Sequence, residues 1–77
     1  MGIPVSVACA HGENSVWLKL EMEEGATVQD TVIRANLPRA FPGFTLEGRN
    51  FGIFGKLVTP ETPINAGDRI EVYLPAA

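Results

Sequence analysis

Two stretches of strict alternation dominate the first third of the chain. Ile3, Val5, Val7 and Cys9 are separated by Pro4, Ser6 and Ala8; Val16, Leu18, Leu20 and Met22 are separated by Trp17, Lys19 and Glu21. An apolar residue at every second position fits a strand with one buried face, because successive strand side chains point to opposite sides. His11-Gly12-Glu13-Asn14, between the runs, has the composition of a turn. The two runs therefore read as a hairpin whose apolar face needs a cover.

A cover follows at once. Thr27 can cap a helix, since its hydroxyl can accept a bond from a free first-turn N–H, and Asp30 three residues on suits the positive helix start. Val28, Val32 and Ala35 fall on one stripe, which Ile33 and Leu37 widen. Pro38 disfavours helix at the residue before it, which puts the end near Asn36 or Leu37. A helix of about ten residues does not stand alone in water, so it must lie on the sheet.

Beyond the helix, Arg39 to Arg49 reads as a loop rich in Pro, Gly and Phe, with Phe41, Phe44 and Leu46 expected under one end of the core. Phe51 to Phe54 and Lys56 to Val58 read as two short extended pieces. Thr59-Pro60-Glu61-Thr62-Pro63 is a loop anchored by Ile64, and Ala66-Gly67-Asp68 is a tight turn. Arg69 to Leu74 closes the chain as a strand with Ile70, Val72 and Leu74 facing in. A hairpin followed by a crossover helix implies an α+β fold, a mixed sheet of four or five strands with one helix on one face.

Composition narrows the function. The 77 residues suit one domain spanning 1–77. Six Lys and Arg against nine Asp and Glu give a net charge of -3, which does not favour nucleic acid. No apolar run approaches ~18 residues, so no membrane insertion is expected. No secretory signal is visible at the amino terminus, and the one cysteine cannot form an internal disulfide; both fit a cytoplasmic protein.

The stretch Phe51-Gly52-Ile53-Phe54-Gly55-Lys56-Leu57-Val58 invites a phosphate-loop reading. That loop needs four residues between its glycines, Lys followed by Ser or Thr, and a helix behind it. Here two residues separate the glycines, Leu57 follows Lys56, and Pro60 and Pro63 come next. A strand–turn–strand corner fits better, with Gly55 supplying a positive φ and Lys56 keeping an edge soluble. His11 and Cys9 make at most two metal ligands, short of a site, and Cys9 belongs to the inward face. The Glu23-Glu24 pair reads as solvated. The expectation is no catalytic residue, no metal and no cofactor.

Asn50-Phe51-Gly52-Ile53-Phe54-Gly55-Lys56-Leu57-Val58, followed by Gly67-Asp68-Arg69-Ile70-Glu71-Val72-Tyr73, resembles the RnfH family of small bacterial proteins. Val5-Ser6-Val7-Ala8-Cys9-Ala10 and Gly25-Ala26-Thr27-Val28 look like its first strand and helix start. The resemblance implies a ubiquitin-like β-grasp, with first and last strands side by side and parallel, in a cytoplasmic protein without established catalytic activity. The family commonly carries Arg where this chain has Leu74. The same fold serves sulfur carriers of cofactor biosynthesis, the alternative reading, but those end in Gly-Gly and this chain in Ala76-Ala77.

The face opposite the helix should carry Ser6, Ala8, Trp17, Lys19, Arg69, Glu71 and Tyr73. Neighbouring first and last strands would bring Trp17, Ala8 and Tyr73 together there, with Lys19 and Arg69 beside them. Aromatic residues with basic neighbours have the composition of a protein-binding hot spot. Ala8, Trp17, Lys19, Arg69 and Tyr73 are therefore the candidate interaction residues, for a protein partner whose identity the sequence does not give.

Overall fold

A computed structural model describes residues 2–11, 14–41 and 49–73. Strands β1 (Gly2–His11) and β2 (Asn14–Glu23) pair antiparallel over their full length, from Gly2 opposite Glu23 to His11 opposite Asn14. Helix α1 spans Val28–Ala35 and a single helical turn, α2, spans Leu37–Ala40. Strands β3 (Phe51–Ile53), β4 (Lys56–Val58) and β5 (Arg69–Val72) complete a five-stranded sheet in the order β2-β1-β5-β3-β4. β5 runs parallel to β1 and antiparallel to β3, so the last strand lies in the middle of the sheet. The order and the parallel central pair are those of the β-grasp. Gly12 and Glu13 of the expected hairpin turn, Phe44 and Leu46 of the long loop, and Leu74 lie outside the described residues.

The alternation separates the faces as expected. Val5, Val7, Cys9, Met22, Phe51, Ile70 and Val72 are buried beneath α1, while Val16, Leu18 and Leu20 on β2 are half-buried against them. Full burial of one such side chain stabilises by about 1.5–3 kcal/mol. Phe41 and Ile64 are also buried and close the core.

The capping box of α1 forms as the sequence predicts. Asp30 N–H donates to Thr27 Oγ1 at 3.2 Å, and Thr27 N–H donates to Asp30 Oδ2 at 3.1 Å. Two further first-turn donors find carbonyls from a distant loop: Val28 N–H bonds Thr62 O at 2.9 Å and Gln29 N–H bonds Pro60 O at 3.0 Å. The buried positions are Val28, Thr31, Val32 and Ala35.

Two expectations about the helix are corrected. Ile33 does not widen the buried stripe; it is 58% exposed. At 3.6 residues per turn it falls nearly opposite the centre of the buried set, and Thr31, fully buried, takes the flank instead. Leu37 is buried, but not as a continuation of the helix. Asn36 adopts the left-handed conformation at φ 53° and its N–H bonds Ile33 O at 3.1 Å. A helical Leu37 would face water; the reversal at Asn36 swings it back into the core. Pro38 then sits in the first turn of α2, where its missing N–H costs nothing, so the predicted loop begins with a helical turn.

Candidate protein-interaction face

The pairing registers place one row of residues straight across the open face. Trp17 on β2 lies opposite Ala8 on β1, Ala8 beside Glu71 on β5, Glu71 opposite Gly52 on β3, and Gly52 opposite Leu57 on β4. The ends of this row are the large apolar side chains. Trp17 is 65% and Leu57 68% exposed. Neighbouring rows add Lys19, Ser6 and Arg69 on one side and Ser15, Ala10 and Tyr73 on the other.

Glu71 holds the middle of the face together. Its Oε1 accepts the Gly55 N–H at 2.7 Å and the Tyr73 hydroxyl at 2.7 Å, and its Oε2 lies 3.4 Å from Arg69 Nη2. The carboxylate therefore ties the β3–β4 turn to the central strand. The Tyr73 phenol is raised above its ordinary value of 10.0, first by this hydrogen bond, then by burial and by the Glu71 charge; Arg69 pulls the other way.

The turn between β3 and β4 confirms the corner reading over the phosphate loop. Phe54 and Gly55 both have positive φ, 50° and 82°, as a two-residue type I′ hairpin turn requires. Phenylalanine pays for that conformation where glycine does not. Its ring is 62% exposed and stacks on Arg69, with the guanidinium carbon 5.7 Å from the ring centroid.

The candidate residues are thus placed as follows. Trp17 and Ala8 are cross-strand neighbours, and Arg69 sits one pair further along, beside Ser6 and so in line with Lys19. Trp17, Ala8, Arg69 and Tyr73 line a shallow groove of about 580 Å³ floored by Ala8 and Ala10. Lys19 lies outside that groove, on the far side of Trp17, in a second depression with Pro4, Ser6 and Gly67. Tyr73 does not lean toward Trp17. Its ring covers Gly52, where an added Cβ would come 2.6 Å from the hydroxyl oxygen.

Leu57 and Phe54 lie outside the set of candidates that the sequence offers, and the sequence puts Glu71 on the face without a role. Parity along β4 could have put Leu57 on this face, but its register with Gly52 could not be read from so short a strand. Cys9, by contrast, is where alternation put it. It is buried and its thiol is pushed up, mainly by burial, which makes it a poor nucleophile. Among the described residues, no three His, Cys, Asp or Glu side chains converge as a metal site, and no helix is long and apolar enough to cross a membrane. The Ala76-Ala77 end, on which the carrier reading turns, lies outside the described residues.

Comparison with known proteins agrees with the architecture. The chain superposes on a ubiquitin of Caldiarchaeum subterraneum with a TM-score of 0.67 at 15% identity, covering 100% of this chain and 98% of that one. At that identity the likeness speaks for the fold alone. The protein named RnfH of Methylococcus capsulatus is 38% identical over 71 residues, 92% of this chain and 75% of that one. The RnfH protein of Rhodobacter capsulatus is 35% identical over 71 residues, 92% of this chain and 84% of that one. The family model described as RnfH family ubiquitin matches residues 3–77. On sequence and fold together, this chain belongs to the RnfH family and is a ubiquitin-like β-grasp protein.

Proposed function

We infer that this protein is a non-catalytic interaction module of the cytoplasm, which docks a protein partner through its open sheet face. The observation that carries the reading is the row from Trp17 to Leu57: two large apolar side chains held in water at either end of a braced centre. A single exposed aromatic is ordinary in a folded protein. Here Trp17, Phe54 and Leu57 share one face with Arg69 and Tyr73, and aromatic residues with arginine are what interface centres are enriched in. The buried, raised thiol of Cys9 supports binding rather than covalent chemistry.

Parallel capture experiments with wild-type, Trp17→Ala, Leu57→Ala and Ile33→Ala baits test the reading. Ile33 is as exposed as the others but lies on the helix. Proteins held by the wild type and by the Ile33 variant should be lost from the Trp17 and Leu57 variants, by roughly tenfold or more for a true anchor. Equal retention by all four folded baits would assign the face a structural role only.

A further inference from the structure

The outer edge of β2 is ten residues long and pairs without a bulge along its whole inner side. The opposite edge of the sheet, β4, has three residues. Long open edges are templates for another strand, and β2 carries neither proline nor glycine to interrupt one.

The free backbone groups of this edge can be assigned. Ser6 N–H donates to Asp68 O at 3.0 Å and Gly67 N–H donates to Pro4 O at 2.7 Å, so Pro4 and Ser6 turn their backbone toward β5. By alternation Val5 and Val7 turn theirs toward β2, to meet Leu20 and Leu18. Among the described residues, that leaves the N–H and C=O of Trp17, Lys19 and Glu21 and the N–H of Glu23 pointing off the sheet, while Glu23 O accepts the Ala26 N–H at 3.1 Å.

Their side chains select a partner. Lys19 and Glu21 are exposed on the open face, two positions apart, with opposite charge, and Leu20 between them points to the other face. An antiparallel copy of the same strand centred on Leu20 sets Lys19 opposite Glu21 of the second copy, and Glu21 opposite its Lys19. Moving the centre to Lys19 or to Glu21 instead sets like charges against each other. Shifting by one residue pairs inward with outward side chains. On the helix side, the same centring brings the half-buried Leu18 and Leu20 against Met22 and Leu20 of the copy. We propose that two copies of this chain associate through their β2 edges, antiparallel about Leu20, with the reciprocal Lys19–Glu21 pairs fixing the register. The pairing joins two sheets edge to edge and sets Trp17 opposite Glu23 of the copy, a neighbour at the side of the indole, while the open face of the sheet itself stays free for a partner.

Sedimentation equilibrium over a concentration series tests this with the full chain. Mass should rise from 8.3 kDa toward twice that value, with a midpoint that moves upward with salt. Lys19→Glu and Glu21→Lys should each raise the midpoint by about tenfold, since like charges directly opposite destabilise a strand pair. The combined Lys19→Glu/Glu21→Lys variant should restore it. Glu21→Pro should abolish association, because its N–H faces away from β1; circular dichroism checks that the monomer is folded. Wild-type mass that stays monomeric up to about millimolar concentration would overturn the proposal. So would dimers indifferent to both charge reversals, or a double variant no better than the singles. An edge that pairs only with an extended segment of a different protein would overturn it as well.

Discussion

The ring of Tyr73 lies over Gly52 so closely that a Cβ at position 52 would sit 2.6 Å from the tyrosine hydroxyl and 2.9 Å from Cε2. Glycine is required there by its neighbour and not by its own backbone. The contact also explains why Tyr73 reaches Glu71: the bare surface of β3 is the path its ring takes.

Gly52→Ala should therefore destabilise the fold by about 1–3 kcal/mol, the usual cost of forcing a methyl into a packed contact. In a Tyr73→Ala background the same substitution should cost far less, because the ring that opposes it is gone. Urea denaturation of the four proteins in this cycle measures the coupling. Equal costs in both backgrounds would show that the ring does not press on position 52.

Phe54→Asn should leave stability unchanged or raise it by up to about 1 kcal/mol. Asn-Gly is the favoured pair for a type I′ turn, and Asn accepts a φ near 50° more readily than Phe. The gain offsets the stacking on Arg69, about 0.5–1 kcal/mol at an exposed site. Partner capture by the open face should fall in the same variant. A loss of stability well above 1 kcal/mol, read from the thermal midpoint, would mean that the ring serves the fold instead.

Tyr73 is the only tyrosine, so tyrosinate absorbance reports it alone. Its titration midpoint should lie above 10.0, and Glu71→Gln should bring it down toward the ordinary value by removing the charge and weakening the hydrogen bond. The folded-state pKa is raised above the unfolded one, so this contribution to stability is fully present below pH 10.0. It is lost as pH rises through the folded-state value. A wild-type midpoint at or below 10.0 would contradict the Glu71–Tyr73 bond.

Thr31→Val should be neutral or stabilising by up to about 1 kcal/mol. The buried Thr31 hydroxyl donates to Thr27 O at 2.9 Å, but that carbonyl also receives the Thr31 N–H at 3.1 Å. Valine removes a buried donor without leaving the acceptor bare. Calorimetry that shows a loss above about 1 kcal/mol would give the hydroxyl a role its bonding does not suggest.

What the sequence reveals and what it hides divide along range. Strand faces, the Thr27–Asp30 cap and the Gly55 corner follow from neighbours within a few residues, and each is found where the pattern puts it. The exposure of Ile33 already follows from 3.6 residues per turn, which a stripe drawn too wide overlooks; Leu37 depends on one left-handed residue, Asn36, whose conformation breaks the helical phase that a stripe count assumes. The bond from Gly55 to Glu71 joins residues 16 positions apart, and the alignment of Trp17 with Leu57 runs through three intervening strands. No local pattern encodes such registers; they emerge when the strands are assembled.

The seating of β5 between β1 and β3 bears on how the protein is made. The amino-terminal hairpin and the β3–β4 hairpin share no ladder until the segment from Arg69 is inserted between them. Synthesis delivers that segment after both hairpins, so a ribosome holds the two halves apart until residues 69–72 emerge, and closure is a single event dominated by distant pairings. Nascent chains stalled with residue 69 still in the exit tunnel should be digested by protease, and released ones should resist it.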